Sequence, residues 1–213
     1  FCDELPEFNK TTLEVLRQPL EDRHISISRA KYTIDYPCSF MFVASMNPCP
    51  CGYYGDPTHR CVCTPGQIQR YMNKISGPLL DRIDIQCEIS PVPFKDISTA
   101  APGEPSAKIR ERVIKAREIQ AARFQEFKGI HCNAQMTERM IHQFAEPDEE
   151  GINLLRMAME KLSLSARAYN RILKVARTIA DLAGSERIEP FHLAEAIGYR
   201  TLDRGDWAER GHL

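Results

Sequence analysis

Long apolar runs are missing from this 213-residue chain: nowhere do eighteen apolar residues follow one another, so no stretch suits a hydrophobic helix crossing a bilayer. No basic region leads into an apolar one at the N-terminus, which leaves no signal-peptide pattern. An excess of one charge is missing too. The chain carries 28 Lys and Arg against 29 Asp and Glu, for a formal net charge of −1. That balance argues against a histone-like polyanion binder and confines any nucleic-acid contact to a local patch. There is no internal repeat and no low-complexity tract. What is present is an ordinary globular composition, 43% hydrophobic and 27% charged, with enough apolar surface for one large domain or two small ones. We expect a soluble, cytoplasmic protein with no membrane partner.

The expected fold class is α/β followed by all-α. Up to about Pro93 the signals are strand-like: Ile25 to Ser28, Tyr32 to Asp35, the run Phe40 to Ser45, and Ile85 to Ile89, with one helix from Thr11 to Leu16. Residues 99–105, rich in small residues and proline, form the expected linker between an α/β part over 1–98 and a helical part over 106–213. In the second part Ile109, Val113, Ala116, Phe124 and Phe127 make an apolar stripe, and Ile152, Leu155, Met159 and Leu162 make another. A further helix is expected from Ala166 to Ala183, capped by Ser165 and stopped by Gly184, and one from Pro190 to Tyr199.

Several residue patterns carry chemistry. Phe1-Cys2 runs directly into Asp3-Glu4, as at the end of a Walker B strand, where the Asp orders Mg²⁺ on nucleotide phosphates and the Glu polarises the attacking water. Two acidic residues closing a strand also occur as plain solvated turn residues. The phosphate loop G-x-x-x-x-G-K-[ST] that such a strand normally follows is absent from this sequence, so we expect the C-terminal half of a longer, nucleotide-driven machine. Asn47 ends the run Phe40 to Ser45, where it can hydrogen-bond a γ-phosphate or simply open a turn before Pro48. Arg82 stands between Asp81 and Asp84, either as an arginine finger for a neighbouring subunit or in a local salt bridge. On the helix from Ala166, Arg167, Arg171 and Lys174 share one basic face opposite the apolar stripe, and an arginine near the N-terminus of such a helix can reach phosphates.

The order of these parts, Asp3-Glu4, Asn47, the run Ser76-Gly77-Pro78-Leu79-Leu80-Asp81-Arg82-Ile83-Asp84, and then Leu164-Ser165-Ala166-Arg167-Ala168-Tyr169-Asn170-Arg171, resembles the C-terminal portion of a magnesium-chelatase-related AAA+ ATPase of the YifB/ComM type. Leu16-Arg17-Gln18-Pro19-Leu20-Glu21-Asp22 and Thr201-Leu202-Asp203-Arg204 are similar as well. The resemblance implies Walker B residues at Asp3 and Glu4, sensor 1 at Asn47, an arginine finger at Arg82 and sensor 2 at Arg167, with Arg171 the weaker candidate. It implies ATP and Mg²⁺ as cofactors, a hexameric ring of identical subunits, and ATP-driven remodelling or branch migration of DNA. The motor subunit of a metal chelatase and a non-catalytic zinc-containing interaction module are the alternative functions. Without a phosphate loop, this stretch of chain by itself is expected to be inactive as an ATPase.

Four of the eight cysteines fall in a C-x-C-x9-C-x-C array of Cys49, Cys51, Cys61 and Cys63, with His59 close by. Two short knuckles of thiolates suit a structural, tetrahedral Zn²⁺, while free thiols and disulfides remain the other readings. Finally, Arg29-Ala30-Lys31 forms the tip of the hairpin expected between Ile25–Ser28 and Tyr32–Asp35. Arg29 and Lys31 there suit contact with a DNA phosphate backbone, or make an ordinary polar turn. In related motors a hairpin before sensor 1 points into the ring's pore, so the resemblance favours the first.

Overall fold

The computed structural model describes residues 1–92, 103–162 and 164–200. They divide into two compact units that part between Ile83 and Asp84.

The first unit is mixed. A 3₁₀ turn over Leu5–Glu7 leads to helices α1 (Lys10–Val15) and α2 (Arg17–Asp22). The Asn9 side chain accepts from the Thr11 amide at 2.9 Å to start α1, and Arg23, at φ 57°, ends α2. Next comes an antiparallel hairpin of β1 (His24–Arg29) and β2 (Tyr32–Pro37) joined by Ala30-Lys31. Its register pairs Ile25 with Tyr36, Ile27 with Ile34 and Arg29 with Tyr32. One face of the ribbon is therefore apolar and the other carries Ser26 opposite Asp35 and Ser28 opposite Thr33, both pairs hydrogen-bonded. Most of this hairpin is solvent-exposed. Helices α3 (Pro65–Met72) and α4 (Gly77–Leu80) follow. A small core gathers Leu5, Leu13, Ile75 and Leu79, with Leu16, Leu20, Phe42, Ala44 and Met46 packed around it.

Two expected strands are not strands here. Phe40 to Ser45 joins the chain's start only through an isolated parallel bridge of Cys2 with Ala44. Three main-chain bonds carry it: Cys2 N–H to Val43 O (2.8 Å), Ser45 N–H to Cys2 O and Leu5 N–H to Ser45 O (both 2.9 Å). Ile85 to Ile89 pairs with no strand among the described residues, and Gln86 instead donates to the Tyr199 carbonyl at 2.8 Å. An apolar run becomes a strand only when a neighbour takes up its amides and carbonyls over several residues, and among the described residues neither run pairs with a strand over such a length. The expected α/β part is thus mixed helical, with a two-stranded sheet.

The second unit is helical: α5 (Ser106–Phe124), α6 (Glu138–Phe144), α7 (Glu149–Leu162), α8 (Ala166–Ala183) and α9 (Pro190–Gly198). Ser165 caps α8 by accepting from the Ala168 amide at 3.2 Å, and Gly184 ends it at φ 70°. Gly151 allows α7 to approach its neighbour: a Cβ there would lie 2.7 Å from Leu193 Cδ1 and 2.8 Å from Pro147 Cβ. The core holds Phe124, Met140, Leu155, Ile172, Leu173 and Leu193, with Phe124, Phe127 and Phe144 meeting edge to face. Of the stripe expected on α5, Ala116 and Phe124 are buried, whereas Ile109 and Val113 are exposed. A buried polar cluster ties α5 to α8. Asp181, fully buried, accepts from Arg123 Nη1 (2.8 Å) and Nη2 (2.5 Å), from Arg177 Nε (3.1 Å) and from Asn133 Nδ2 (2.7 Å). No described helix is long and apolar enough to cross a membrane. Most of the expected linker lies outside the described residues.

Candidate functional site

The bridge between Cys2 and Ala44 decides what stands at the first site, because it sets the end of one segment beside the end of the other. Asp3 accepts a hydrogen bond from the Ser45 hydroxyl, and the Glu4 amide donates to the same Oδ1 at 3.1 Å. Glu4 then takes a left-handed backbone (φ 50°, ψ 52°), with Leu5 and Pro6 buried behind it. Asp3 and Glu4 are both exposed, as is Asn47 two residues beyond Ser45. Tyr71 of α3, itself buried, connects these groups. Burial raises its phenol pKa first, the charges of Glu7, Glu4 and Cys49 add to the rise, and the Asn47 backbone opposes it. Glu4, Glu7 and the Asn47 backbone thus lie close enough to this phenol to affect it.

The cysteine array lies immediately beyond Asn47. Cys49, Cys51, Cys61 and Cys63 bring their sulfurs within 4.8 Å of one another, at 3.4 Å for Cys49 and Cys51, 3.7 Å for Cys49 and Cys61, and 3.5 Å for Cys51 and Cys61. Four thiolates at about 2.3 Å from a tetrahedral ion stand about 3.8 Å apart, so the spacing fits Zn²⁺ with little adjustment. All eight cysteines are free thiols. Backbone amides of Tyr53 and Val62 hold the Cys51 pKa down at about 6, whereas burial and the neighbouring thiols push Cys63 up to about 12. Gly52, at φ 84°, closes the first knuckle with its N–H on the Cys49 carbonyl at 3.0 Å. Asp56 braces the intervening loop through Thr58 and the His59 amide, and its carboxyl falls to about 2 chiefly through the Thr58 hydroxyl. His59 stacks on Tyr53 at 4.9 Å rather than joining the sulfurs. Cys63 hands directly on to Thr64, which opens α3 with a reciprocal capping box to Gln67.

The remaining candidates lie on other elements. Ser76 caps the single turn Gly77–Leu80 by accepting from the Leu79 amide at 3.3 Å, and Leu79 anchors it in the core. Arg82 leaves that turn with Nη1 on the Pro78 carbonyl (2.7 Å) and Nε 3.0 Å from Glu21 Oε2. Its ion pair is with Glu21 of α2 rather than with Asp81 or Asp84. In the helical unit Arg167 is exposed on the first turn of α8, while Arg171 is ion-paired with Asp84. Arg29 ends β1 and Lys31 lies in the exposed hairpin turn. Ser45, Glu21 and Tyr71 were missed from sequence. Only Glu21 had a signal, as part of the run Leu16 to Asp22.

Comparison with known proteins identifies the family. Residues 1–97 match the family model "Magnesium chelatase, subunit ChlI", and residues 103–200 match that of the same subunit's C-terminal part. Competence protein ComM of Haemophilus influenzae is 46% identical over 205 residues, covering 96% of this chain and 39% of that protein. The uncharacterized protein YifB of Escherichia coli is 45% identical over 206 residues with the same coverage, and an uncharacterized protein of Mycobacterium tuberculosis is 36% identical over 200 residues. The chain spans 39% of the length of each of these relatives. With both family models matched in succession and relatives aligned along nearly its whole length, the chain belongs to the magnesium chelatase ChlI family, in its ComM and YifB type.

Proposed function

We propose that this chain is the C-terminal part of an ATP-hydrolysing subunit which assembles with copies of itself into a hexameric ring and remodels DNA. The observation that carries the reading is the bridge that sets Asp3 against the Ser45 hydroxyl, two residues before Asn47. Bound ATP with Mg²⁺ supplies the phosphoryl group to be transferred to water. The chain's own residues do the rest. Asp3, its carboxylate oriented by the Ser45 hydroxyl and the Glu4 amide, would hold the Mg²⁺ that accompanies ATP. Glu4 takes the proton of the attacking water, Asn47 orients that water, and Arg167 adds charge from the start of α8. Arg82 leaves Glu21 to serve the neighbouring subunit's γ-phosphate. Cys49, Cys51, Cys61 and Cys63 would hold a structural Zn²⁺ and so fix the loop after Asn47, since four protein ligands leave no open position for catalysis. Arg29 and Lys31 meet the DNA backbone.

A magnesium-chelatase motor is the second reading, favoured by the description of the matching family model. The relative named as a competence protein favours DNA. The test is ATPase activity of the natural full-length protein with and without single-stranded or branched DNA. Glu4→Gln should bind ATP and fail to turn it over. Unchanged turnover in that variant would remove Glu4 from the mechanism, and rates indifferent to DNA would favour the chelatase reading.

A further inference from the structure

Helix α8 carries two arginines one turn apart, and their surroundings differ. Arg167, on the first turn, is exposed. Arg171 has a side chain only 17% exposed, and its Nη1 donates to Oδ1 of Asp84, across 87 residues of chain. Two residues past Asp84, the amide of Gln86 donates to the Tyr199 carbonyl just beyond α9 at 2.8 Å, and Gln86 is itself buried. The stretch after Ile83 is thus stitched to the helical unit twice, by a side chain on α8 and by a main-chain bond beside α9. A lone exposed ion pair constrains little. This one is mostly shielded on the arginine side and is backed by a buried neighbour.

Position gives the pair its meaning. Asp84 stands two residues after Arg82 in the chain, and Arg171 stands four after Arg167, on the same helix face. A helix moves as a rigid rod, so any tilt that carries Arg167 toward a phosphate also carries Arg171, and with it Asp84. We propose that Arg171 is a positioning residue which, through Asp84, couples the phosphate-sensing turn of α8 to the stretch that bears Arg82. Nucleotide occupancy in one subunit then sets how that subunit presents its finger to the next. This rests on the ATPase reading above, and it gives Arg171 a task other than touching the nucleotide, since its guanidinium is committed to a carboxylate.

The test uses the natural full-length ATPase and compares Arg171→Ala, Arg171→Lys, Asp84→Asn and the exchanged pair Asp84→Arg with Arg171→Asp. Arg171→Ala should lower kcat about 100-fold, the scale of a catalytic group misplaced by roughly 1 Å, while the ATP Kd stays within about twofold. Mixing it with Glu4→Gln subunits, whose fingers are intact, should restore turnover, and the same mixing should rescue Arg82→Ala if its finger acts on the neighbouring subunit. Amides 84–87 should exchange faster in Arg171→Ala and Asp84→Asn, and Arg171→Lys or the exchanged pair should recover part of both effects. By contrast, Arg167→Ala should weaken ATP binding and gain nothing from mixing. A weakened ATP Kd in Arg171→Ala would make it a nucleotide ligand and overturn the proposal. Unchanged kcat, or unchanged exchange at 84–87, would reduce the pair to surface decoration and overturn it as well. An unsubstituted protein that binds no ATP would refute the ATPase reading and this coupling together, whereas normal ATP binding with a wild-type-like Arg171→Ala would refute the coupling alone.

Discussion

Replacing Asp181 by Asn should destabilise the helical unit more than any surface change. The carboxylate is fully buried and collects bonds from Arg123, Arg177 and Asn133. Burial alone would raise its pKa, but the bonds from Arg123 and Asn133 and the two guanidinium charges hold it below the usual carboxylate range. Removing its charge leaves two shielded guanidiniums without an anion, and breaking a buried pair in this way costs about 3–5 kcal/mol. Arg177 keeps the carbonyls of Ser185 (2.6 Å) and Glu186 (2.9 Å), and Arg123 keeps Asn133 Oδ1 (2.7 Å), so the lower end, about 3 kcal/mol, applies. At roughly 5 °C per kcal/mol for a domain of this size, Tm should fall by about 15 °C. The assay is thermal unfolding followed by circular dichroism at neutral pH. The sign with pH follows from the lowered pKa: the stabilisation is complete above the unfolded-state value of about 3.9 and drains as pH falls through the folded-state value. The gap between parent and variant should therefore narrow in acid. A Tm change below about 5 °C at neutral pH, or a gap that widens in acid, would refute the reasoning.

Protein purified without chelator should hold one Zn²⁺ per chain by elemental analysis, and Cys61→Ser should lose most of it. Sulfurs that bind no metal, or Co²⁺ spectra without tetrahedral bands, would end the metal reading. Replacing Arg29 and Lys31 together by Ala should weaken DNA binding by the full-length protein uniformly across sequences and flatten its salt dependence by about two phosphate contacts. An unchanged salt slope would return the hairpin tip to an ordinary turn.

Signals that act within one turn of chain were legible in the sequence. Ser165, Gly184 and Pro190 mark the ends of α8 and α9 where caps require them, and the cysteine spacing pointed to four sulfurs that the structure gathers. What escaped depends on partners distant in sequence. The apolar run Phe40 to Ser45 reads as a buried strand from composition, yet strand character belongs to the neighbour as much as to the run, and Cys2 supplies only an isolated bridge. Arg82 lies between two acids in sequence and pairs with Glu21 on α2 instead, because the turn Gly77–Leu80 aims it there. Asp181 and Arg123 lie 58 residues apart, and no local pattern announces their meeting.

The backbone of Glu4 sets stability against chemistry at one position. Its left-handed φ and ψ cost an ordinary residue roughly 1–2 kcal/mol, while asparagine and glycine tolerate that region far better. A stability screen would therefore reward the loss of this glutamate, and a consensus-minded engineer would welcome the change. On the function proposed, the same change erases the base that activates water. On that reading a glutamate here gives up backbone stability for the sake of its carboxylate, and replacing it by asparagine or glycine should yield a more stable protein with less ATP turnover.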